Sequence, residues 1–278
     1  MWVLTIWVWV KKLLLGKILK TNTFWFDGAS SICREVKDGA FSWKALEVIY
    51  NLPSYSEGTN TNEKIAYFWN GLLNAKATRN RLKVTKRALE EIFRSRLNTG
   101  ELKVLSIASG SARAVFETTA ELLNDGADRS RIHILLLDLD SSALQYAQNL
   151  ATQLGIVDLV TLVNDSTTNL EAAIGNFSPN VIEMVGFLEY RPYEKALKLL
   201  TRLYSILAEE GYLVVSQIAP NLEQYFLLVV INWPMVYRTR KEFEELLSDS
   251  GFDETTRRII YEPLNIHGVA VCKKKKST

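Results

Sequence analysis

This sequence contains few of the residues that build metal centres and disulfide frameworks. Its 278 residues include only two histidines, His133 and His267, and two cysteines, Cys33 and Cys272. Two histidines are too few for a histidine-based metal site, and the cysteines have no metal-like spacing. Two cysteines this far apart are typical of free thiols in a reducing compartment. We therefore expect a cytoplasmic protein without structural disulfides or a bound metal.

The chain also lacks an excess of charge of one sign. Its 33 basic and 31 acidic residues leave a net charge of +2 at pH 7, which gives no global electrostatic reason to bind nucleic acid. One local exception is the basic run KATRNRLKVTKR at residues 76–87. Such a run is usually a solvated helix face, although it could meet the phosphates of RNA. No aromatic interleaving and no recognised RNA module accompany it.

The apolar run at the N-terminus is too short to cross a membrane. In MWVLTIWVWVKKLLLGKILK, Lys11 and Lys12 interrupt the run well before the ~20 apolar residues that a span needs. The lysines follow the apolar residues, which is the opposite of the order in a secretory signal peptide. We expect residues 1–20 to pack on the domain or on a second copy of the chain. Alternatively, their Trp and Lys side chains place them at a membrane surface.

Two parts with different periodicity follow one another. From about residue 26 to 98, apolar residues recur at three- and four-residue spacings, as in KALEVIYNL and VTKRALEEIFRSRL, which predicts a helical extension at residues 1–98. After Gly100, strand-like runs such as KVLSIAS and IHILLLDLD alternate with helical runs. This alternation predicts an α/β fold, a doubly wound and mainly parallel sheet with helices on both faces. The last two strand-like runs, around a Pro-containing turn, predict an antiparallel hairpin.

Open sheets of this kind bind ligands beyond the carboxyl ends of their strands. The small residues 109–112 follow the first strand and permit close backbone approach, although a tight turn explains them too and the full G-x-G-x-x-G fingerprint is missing. Asp138 ends the second strand. Because Asp140 and Ser141 are better placed as helix caps, its carboxylate is free for a ribose diol. Asp165 follows the third strand and could hold an exocyclic amine or serve as a cap.

In order and spacing, these segments resemble the motifs of class I S-adenosylmethionine-dependent methyltransferases. VLSIASGSA is similar to the family's first motif, usually an apolar strand, an acid and a Gly-x-Gly-x-Gly turn. LLLDLDSSALQYA resembles the strand–acid–helix second motif, and VNDS resembles the adenine-binding position. Later segments, from NVIEMVGFLEYRP to NIHGVAVCKK, are similar to the remaining strands and the closing hairpin. The resemblance implies a seven-stranded Rossmann-like domain at residues 99–278, with an apolar lid insertion at residues 219–238.

The resemblance also implies a cofactor, S-adenosyl-L-methionine, and its location. Residues 108–112 would cradle the methionine part, Asp138 would bind the ribose and Leu139 would flank the adenine. Asp165 and Ser166 would contact the amine edge of the adenine. The implied cofactor-binding residues are Ala108, Ser109, Gly110, Ser111, Asp138, Leu139, Asp165, Ser166 and Gly186.

The first motif departs from the family pattern at three positions. Ser106 replaces the usual acid, and Ala108 and Ala112 stand where glycine is commoner. Alanine narrows the approach of a ligand to the backbone but does not close it. The departures motivate one alternative function, a catalytically inactive methyltransferase fold kept as a binding or scaffold protein.

Methyl transfer needs no obligatory catalytic motif. The reaction is an in-line displacement on a sulfonium, in which the enzyme mainly holds two partners in near-attack geometry. A general base is needed only for an acceptor that arrives protonated. The candidate catalytic residues follow the fourth strand or end the lid segment, and they are Glu189, Tyr190, Tyr237 and Arg238. Either the lid segment packs as a plain helix, or it builds an apolar acceptor pocket with Tyr237 and Arg238 as its polar end.

Two segments bear on the acceptor. WPMVYRTRKEF and NAKATRNRL are similar to a methyltransferase subgroup that includes bacterial enzymes assigned to methyl-esterifying hydroxy fatty acids. An arginine such as Arg79 or Arg81 can clamp a carboxylate, which accepts a methyl group without a base. We therefore expect a small, apolar or amphipathic acceptor with a carboxylate or hydroxyl oxygen. An RNA methyltransferase that uses Arg79, Arg81 and Lys83 is the other alternative.

Overall fold

The computed structural model describes residues 2–15, 30–51 and 60–276. Within these ranges, five helices precede the first strand. They are α1 (Trp2–Leu15), α2 (Ser31–Asp38), α3 (Trp43–Asn51), α4 (Thr61–Asn70) and α5 (Leu73–Thr99). The rest of the expected N-terminal extension, including residues 16–20 of the expected contact segment, lies outside the described residues.

Strands and helices then alternate. The strands are β1 (Leu102–Ile107), β2 (Ile132–Asp138), β3 (Val160–Asn164), β4 (Val181–Met184), β5 (Tyr212–Ile218), β6 (Arg257–Tyr261) and β7 (His267–Lys273). The helices between them are α6 (Arg113–Asn124), α7 (Ser141–Gln153), α8 (Leu170–Ile174), α9 (Tyr193–Ile206), α10 (Gln224–Phe226) and α11 (Arg240–Asp249). Helix α10 continues into a π-helical turn at Leu227–Ile231.

The seven strands form one mainly parallel sheet in the order β3-β2-β1-β4-β5-β7-β6. Strand β1 pairs in parallel with β2 on one side and with β4 on the other. Strand β7 runs antiparallel to both β5 and β6. The predicted doubly wound α/β sheet with an antiparallel C-terminal hairpin is confirmed. Because the strand order reverses at β1, the carboxyl ends of β2, β1 and β4 lie side by side, where such sheets bind ligands.

Helices cover both faces of the sheet. One apolar layer contains side chains of α5, α6 and α7, and includes Val104 of β1 and Val181 of β4. The opposite layer contains side chains of α8, α9 and α11, and includes Leu105 and Ile182 of the same strands. Successive strand residues point to opposite faces, so Ser106 and Glu183 lie on the face that α5 covers.

The N-terminal helices and the segment after β5 share a third apolar cluster. It contains Ile49 of α3 and Trp69 of α4 together with Leu227 and Trp233. Residues 219–238 therefore pack against the helical extension, above the carboxyl edge of the sheet.

Helix α1 lies against α10 and leaves an apolar face exposed, which includes Ile6, Val10, Leu13 and Leu14. Of the helices in the described ranges, none combines the length and apolarity that a membrane crossing requires. The contact expected for residues 1–20 stays a prediction.

A buried charge network attaches α3 to the sheet domain. The carboxylate of Glu47 accepts hydrogen bonds from Arg113, at the start of α6, and from Tyr146 Oη of α7 at 2.8 Å. Trp43 packs on the Tyr146 ring at 4.5 Å between centroids. Burial alone raises the pKa of Glu47, but hydrogen bonds from Arg113, Ser111 and Tyr146, with the charge of Arg113, lower it overall. The ion pair is therefore ionised at neutral pH.

We expect the change Glu47→Gln to lower the free energy of unfolding by about 3 kcal/mol, because it leaves Arg113 without its buried counter-charge. Denaturant unfolding at pH 7 measures this difference. The matched control is Glu117→Gln, which removes the more exposed partner of Arg113 and should cost under about 1 kcal/mol. Equal effects of the two changes would contradict the structural role assigned to Glu47.

Candidate functional site

A cleft of about 220 Å³ lies at the carboxyl ends of β1, β2 and β4. Its floor includes the loop at residues 108–112, Asp138 and Glu183, and α3 covers it with Trp43, Leu46 and Tyr50. We call this space the cofactor cleft. Its position is the one predicted from the strand-end residues.

The loop after β1 has alternating residues in the left-handed conformation. Ala108, Gly110 and Ala112 have φ of 48°, 54° and 51°. Glycine adopts this conformation freely, whereas alanine pays roughly 1–2 kcal/mol. The two alanines thus hold the loop in the backbone conformation that glycine normally adopts. At Gly110 a Cβ atom would lie 3.2 Å from Trp43 Cβ, so α3 crosses close to the bare backbone.

The carboxylate of Asp138 supports this loop. Its Oδ2 accepts a hydrogen bond from the Gly110 amide at 2.8 Å, and its Oδ1 accepts one from the Asp140 amide at 2.9 Å. Burial raises the pKa of Asp138, against the effect of these backbone hydrogen bonds. Asp140 caps α7 by accepting from the Ser142 amide, as predicted. A carboxylate has about four lone-pair sites, so Asp138 can hold the loop and still accept hydroxyl donors from a ligand.

Glu183 is a site residue that the sequence reasoning missed. It is 7% exposed, lines the cofactor cleft and accepts a 2.6 Å hydrogen bond from Ser106. Burial raises its pKa to about 7, against the hydrogen bonds from Ser106 and the Val185 amide and the charge of Arg81. The available signal was an acid inside the otherwise apolar strand VIEM, combined with the missing acid at Ser106.

Three residues expected at the adenine lie outside the lining of the cofactor cleft. Leu139 is 73% exposed, and its carbonyl accepts from Asn164 Nδ2. Asp165 accepts from the Ser166 amide at 2.6 Å and from Asn169 Nδ2 at 3.0 Å. These contacts are those of a turn, and a role at the adenine stays a prediction for Leu139, Asp165 and Ser166.

A second, mostly apolar pocket of about 70 Å³ adjoins the cofactor cleft. Both spaces are lined by Leu46, Gly186 and Tyr190. The helices α2 to α5 and the segment after β5 supply its walls, with side chains such as Ile49 and Leu227. We call this space the acceptor pocket.

The polar end of the acceptor pocket is an ion pair buried by α5. Arg81 Nη1 donates to Glu189 Oε1 at 3.3 Å, and the two residues are 3% and 2% exposed. Arg81 Nη2 lies 3.5 Å from Tyr50 Oη. At Gly186, between the two spaces, a Cβ atom would approach this guanidinium to 3.3 Å. Glycine there lets the charged group reach the junction.

Several polar atoms in the walls of the acceptor pocket are buried and have no hydrogen-bond partner within the described ranges. They belong to Trp69, Asn74, Arg81, Glu189 and His267 (Nε1, Oδ1, Nε, Oε2 and Nδ1, respectively). Buried polar groups without partners cost free energy, so this set indicates a ligand with polar groups of its own.

The other predicted catalytic residues have different surroundings. Tyr190 lines both spaces, and its Oη accepts from Trp233 Nε1 at 2.8 Å. Arg238 lines neither: it donates to the Leu188 carbonyl, Gln217 Oε1 and the Arg191 carbonyl. Tyr237 packs beside Ile218 and Ile266 instead.

Tyr237 and Arg238 thus lie outside the lining of the acceptor pocket, whose polar end contains Arg81, Glu189 and His267. A catalytic role stays a prediction for Tyr237 and Arg238. The hydrogen bonds of Arg238 tie the loop after β4 to the end of β5. Its backbone amide also donates to the Ile218 carbonyl, which keeps the guanidinium directed at that loop. Across the residues that the structure describes, no cluster of His, Cys, Asp and Glu could hold a metal ion.

The raised pKa of Glu183 predicts a pH-dependent stability. The carboxyl of Glu183 has a pKa of about 7 in the folded protein, against about 4.3 in the unfolded chain. Its contribution to the free energy of unfolding is fully present at a pH below the pKa of the unfolded chain. This contribution is lost as the pH rises through 7. Between pH 5 and pH 8 the free energy of unfolding of the wild type should fall by about 2–3 kcal/mol more than that of Glu183→Gln. Denaturant unfolding without ligand measures both.

The control for this pH series is Glu171→Gln. Arg202 lowers the pKa of Glu171 to about 2, so this carboxyl stays ionised across the whole window. If the wild type and Glu183→Gln lose stability in parallel from pH 5 to pH 8, Glu183 is ionised throughout and the assignment is wrong.

Solved structures share this fold at low sequence identity. An exported-protein candidate from Bordetella parapertussis aligns with a TM-score of 0.65 and 18% identity, over 83% of this chain and 79% of that one. Magnesium protoporphyrin IX methyltransferase from Synechocystis PCC 6803, with bound S-adenosylhomocysteine, aligns with a TM-score of 0.58 and 13% identity, over 88% and 100% of the chains. A protein from Nostoc punctiforme PCC 73102 described as a "putative O-methyltransferase" aligns with a TM-score of 0.54 and 16% identity, over 86% of this chain and 69% of that one.

No curated protein sequence matches this chain significantly. A family model described as "Putative methyltransferase" does match it, over residues 37–274. The match covers most of the chain, and the sheet has the strand order and closing hairpin of the class I fold. The protein therefore belongs to this family and is a methyltransferase of the class I, Rossmann-like fold.

Proposed function

We propose that the protein transfers the methyl group of S-adenosylmethionine to a hydroxyl oxygen of a small molecule with an apolar body. The observation that carries this proposal is the junction of the two spaces at Gly186 and Tyr190. On one side lies a cleft with the features of a nucleoside site. On the other side lies an apolar pocket whose buried ion pair reaches the junction.

The residues of the cofactor cleft fit S-adenosylmethionine, which supplies an electrophilic methyl group when it is bound. Asp138 would accept hydrogen bonds from the ribose hydroxyls, and the loop at residues 108–112 would leave room for the methionine part. Ser109 Oγ is buried in this loop without a hydrogen-bond partner among the described residues, and it is available to the ligand. The Synechocystis methyltransferase of the same fold has S-adenosylhomocysteine bound.

The charges of the acceptor pocket favour a neutral acceptor over an anion. Arg81 and Glu189 neutralise each other, and burial, together with the charge of Arg81, lowers the pKa of His267 well below its ordinary value. Among the described residues that line this pocket, no arginine or lysine is left unpaired for an anionic acceptor. A carboxylate ligand would add an uncompensated buried charge beside Glu189, which costs several kcal/mol, whereas a hydroxyl adds none.

Glu189 is the general base in this proposal. Burial raises its pKa, while the charge of Arg81 holds it down. Its unpartnered Oε2 would accept the hydroxyl proton as the O–CH3 bond forms and the S–CH3 bond breaks, with S-adenosylhomocysteine as the leaving group. A raised pKa makes a carboxylate a stronger proton acceptor. Arg81 stabilises the negative charge that develops on the acceptor oxygen.

The structure disfavours RNA as the acceptor. The basic run at residues 76–87 is not an open cationic face, because Arg81 is buried and Arg79 donates both to the side chain and to the carbonyl of Asn70. Lys86 is paired with Glu117 and Glu121. Of the six cationic residues of this run, Lys76, Lys83 and Arg87 are exposed, so half of its charges remain for phosphates.

Cofactor binding is tested by titration calorimetry with S-adenosylhomocysteine. We expect the wild type to bind it and Asp138→Ala to bind at least ~10-fold more weakly, because a carboxylate–hydroxyl pair and the support of Gly110 are both lost. Asp165→Ala measures the role expected for Asp165 at the adenine. A wild type that does not bind S-adenosylhomocysteine at millimolar ligand would refute the proposed function.

The acceptor class is tested with radiolabelled S-adenosylmethionine and matched pairs of para-substituted phenols and benzoic acids. We expect methylation of the phenols, and loss of about 100-fold or more in kcat for Glu189→Gln with unchanged S-adenosylhomocysteine affinity. Glu244→Gln, in an exposed pair with Arg240, is the control and should keep the wild-type rate. Esterification of the benzoic acids with no reaction of the phenols would show that the acceptor oxygen has been assigned wrongly.

A further inference from the structure

We propose that Glu183 binds the ammonium group of the methionine part of S-adenosylmethionine, and so replaces the acid that the first motif lacks at Ser106. This inference rests on the proposed cofactor. It assigns a recognition role to a residue in β4, one strand away from the motif that normally supplies the acid.

The register of the sheet brings the two positions together. Strands β1 and β4 pair in parallel, and Ser106 lies opposite Glu183. Both side chains lie on the same face of the sheet, and Ser106 Oγ donates to Glu183 Oε2 at 2.6 Å. A glutamate side chain is longer than an aspartate side chain. From β4 it can therefore place its carboxylate beside the side chain of residue 106.

Glu183 has no cation of its own. Among the described residues no lysine or arginine forms an ion pair with it. Arg81, the charged group that approaches it from α5, pairs with Glu189 instead. An isolated carboxylate in a buried position is costly. Glu183 lines the cofactor cleft, so a ligand bound there can supply the missing positive charge.

The surroundings of Glu183 suit a primary ammonium group. Thr85 of α5 also lines the cofactor cleft, and its Oγ1 is buried with no hydrogen-bond partner in the described part of the chain. Ser109 Oγ, in the loop after β1, has the same properties. An ammonium group has three donors. The lining of the cleft thus offers three acceptor side chains, one of them anionic.

The experiment compares two ligands that share the nucleoside. S-adenosylhomocysteine carries the amino acid part, whereas 5′-methylthioadenosine lacks it. By titration calorimetry, Glu183→Gln should weaken S-adenosylhomocysteine roughly 10- to 100-fold, the effect of one charged hydrogen bond. It should leave the affinity for 5′-methylthioadenosine within about twofold. Asp138→Ala should weaken both ligands, because both carry the ribose.

A charge exchange separates recognition from folding. The double variant Ser106→Asp with Glu183→Ser moves the acid back to the family position and should recover S-adenosylhomocysteine affinity relative to Glu183→Ser alone.

An equal loss of affinity for both ligands in Glu183→Gln would overturn the inference, since the residue would then only support the cleft. No loss for either ligand would overturn it as well. If the wild type binds 5′-methylthioadenosine but Glu183→Gln does not change the affinities for the two ligands differently, only this inference fails. If the wild type binds neither ligand, the proposed cofactor fails with it.

Discussion

The parallel pairing of β1 with both β2 and β4 is the constraint on which the rest of this protein depends. Because the strand order reverses there, the chain leaves β1 and β2 towards the helices of one face and leaves β4 towards the helices of the other. The crevice between these directions cannot be filled by either helix layer. Strand-end residues such as Asp138 and Glu183 therefore line the cleft, although the sheet around them is buried.

The helical extension converts this crevice into a closed pair of spaces. Helix α3 is held over the cofactor cleft by the Glu47–Arg113 pair, and α5 crosses the sheet with Arg81 directed at the junction. Both ion pairs join residues far apart in the chain, and neither could be buried without its partner, because an unpaired charge in a dry interior costs several kcal/mol. The same contacts thus attach the extension and shape the site.

The loop after β1 illustrates how a departure from a family pattern can be accommodated. Ala108 and Ala112 adopt the backbone conformation that glycine prefers, and the amide of Gly110 between them is held by Asp138. Each alanine costs roughly 1–2 kcal/mol in this conformation, and the hydrogen bond from the Gly110 amide to Asp138 helps to hold the loop in it. The loss of the acid at Ser106 is different, because a charge cannot be replaced by a change of backbone, only by another side chain that reaches the same place.

The alternation of strand-like and helical runs was sufficient to predict the fold class. The strand-end pattern singled out the loop at 108–112 and Asp138, which line the cofactor cleft, and also Asp165, which does not. These features depend on periodicity and on neighbours within a few residues, which a sequence contains directly. Glu183 and the polar end of the acceptor pocket were missed, and Arg238 was expected in a pocket that it does not line. Those assignments depend on strand register and on the path of α5, which bring together residues such as Arg81 and Glu189, 108 positions apart.

The sequence by itself determined which elements form and where a ligand can approach. Only the tertiary structure decided which charges face it, because burial and pairing are properties of the packed chain.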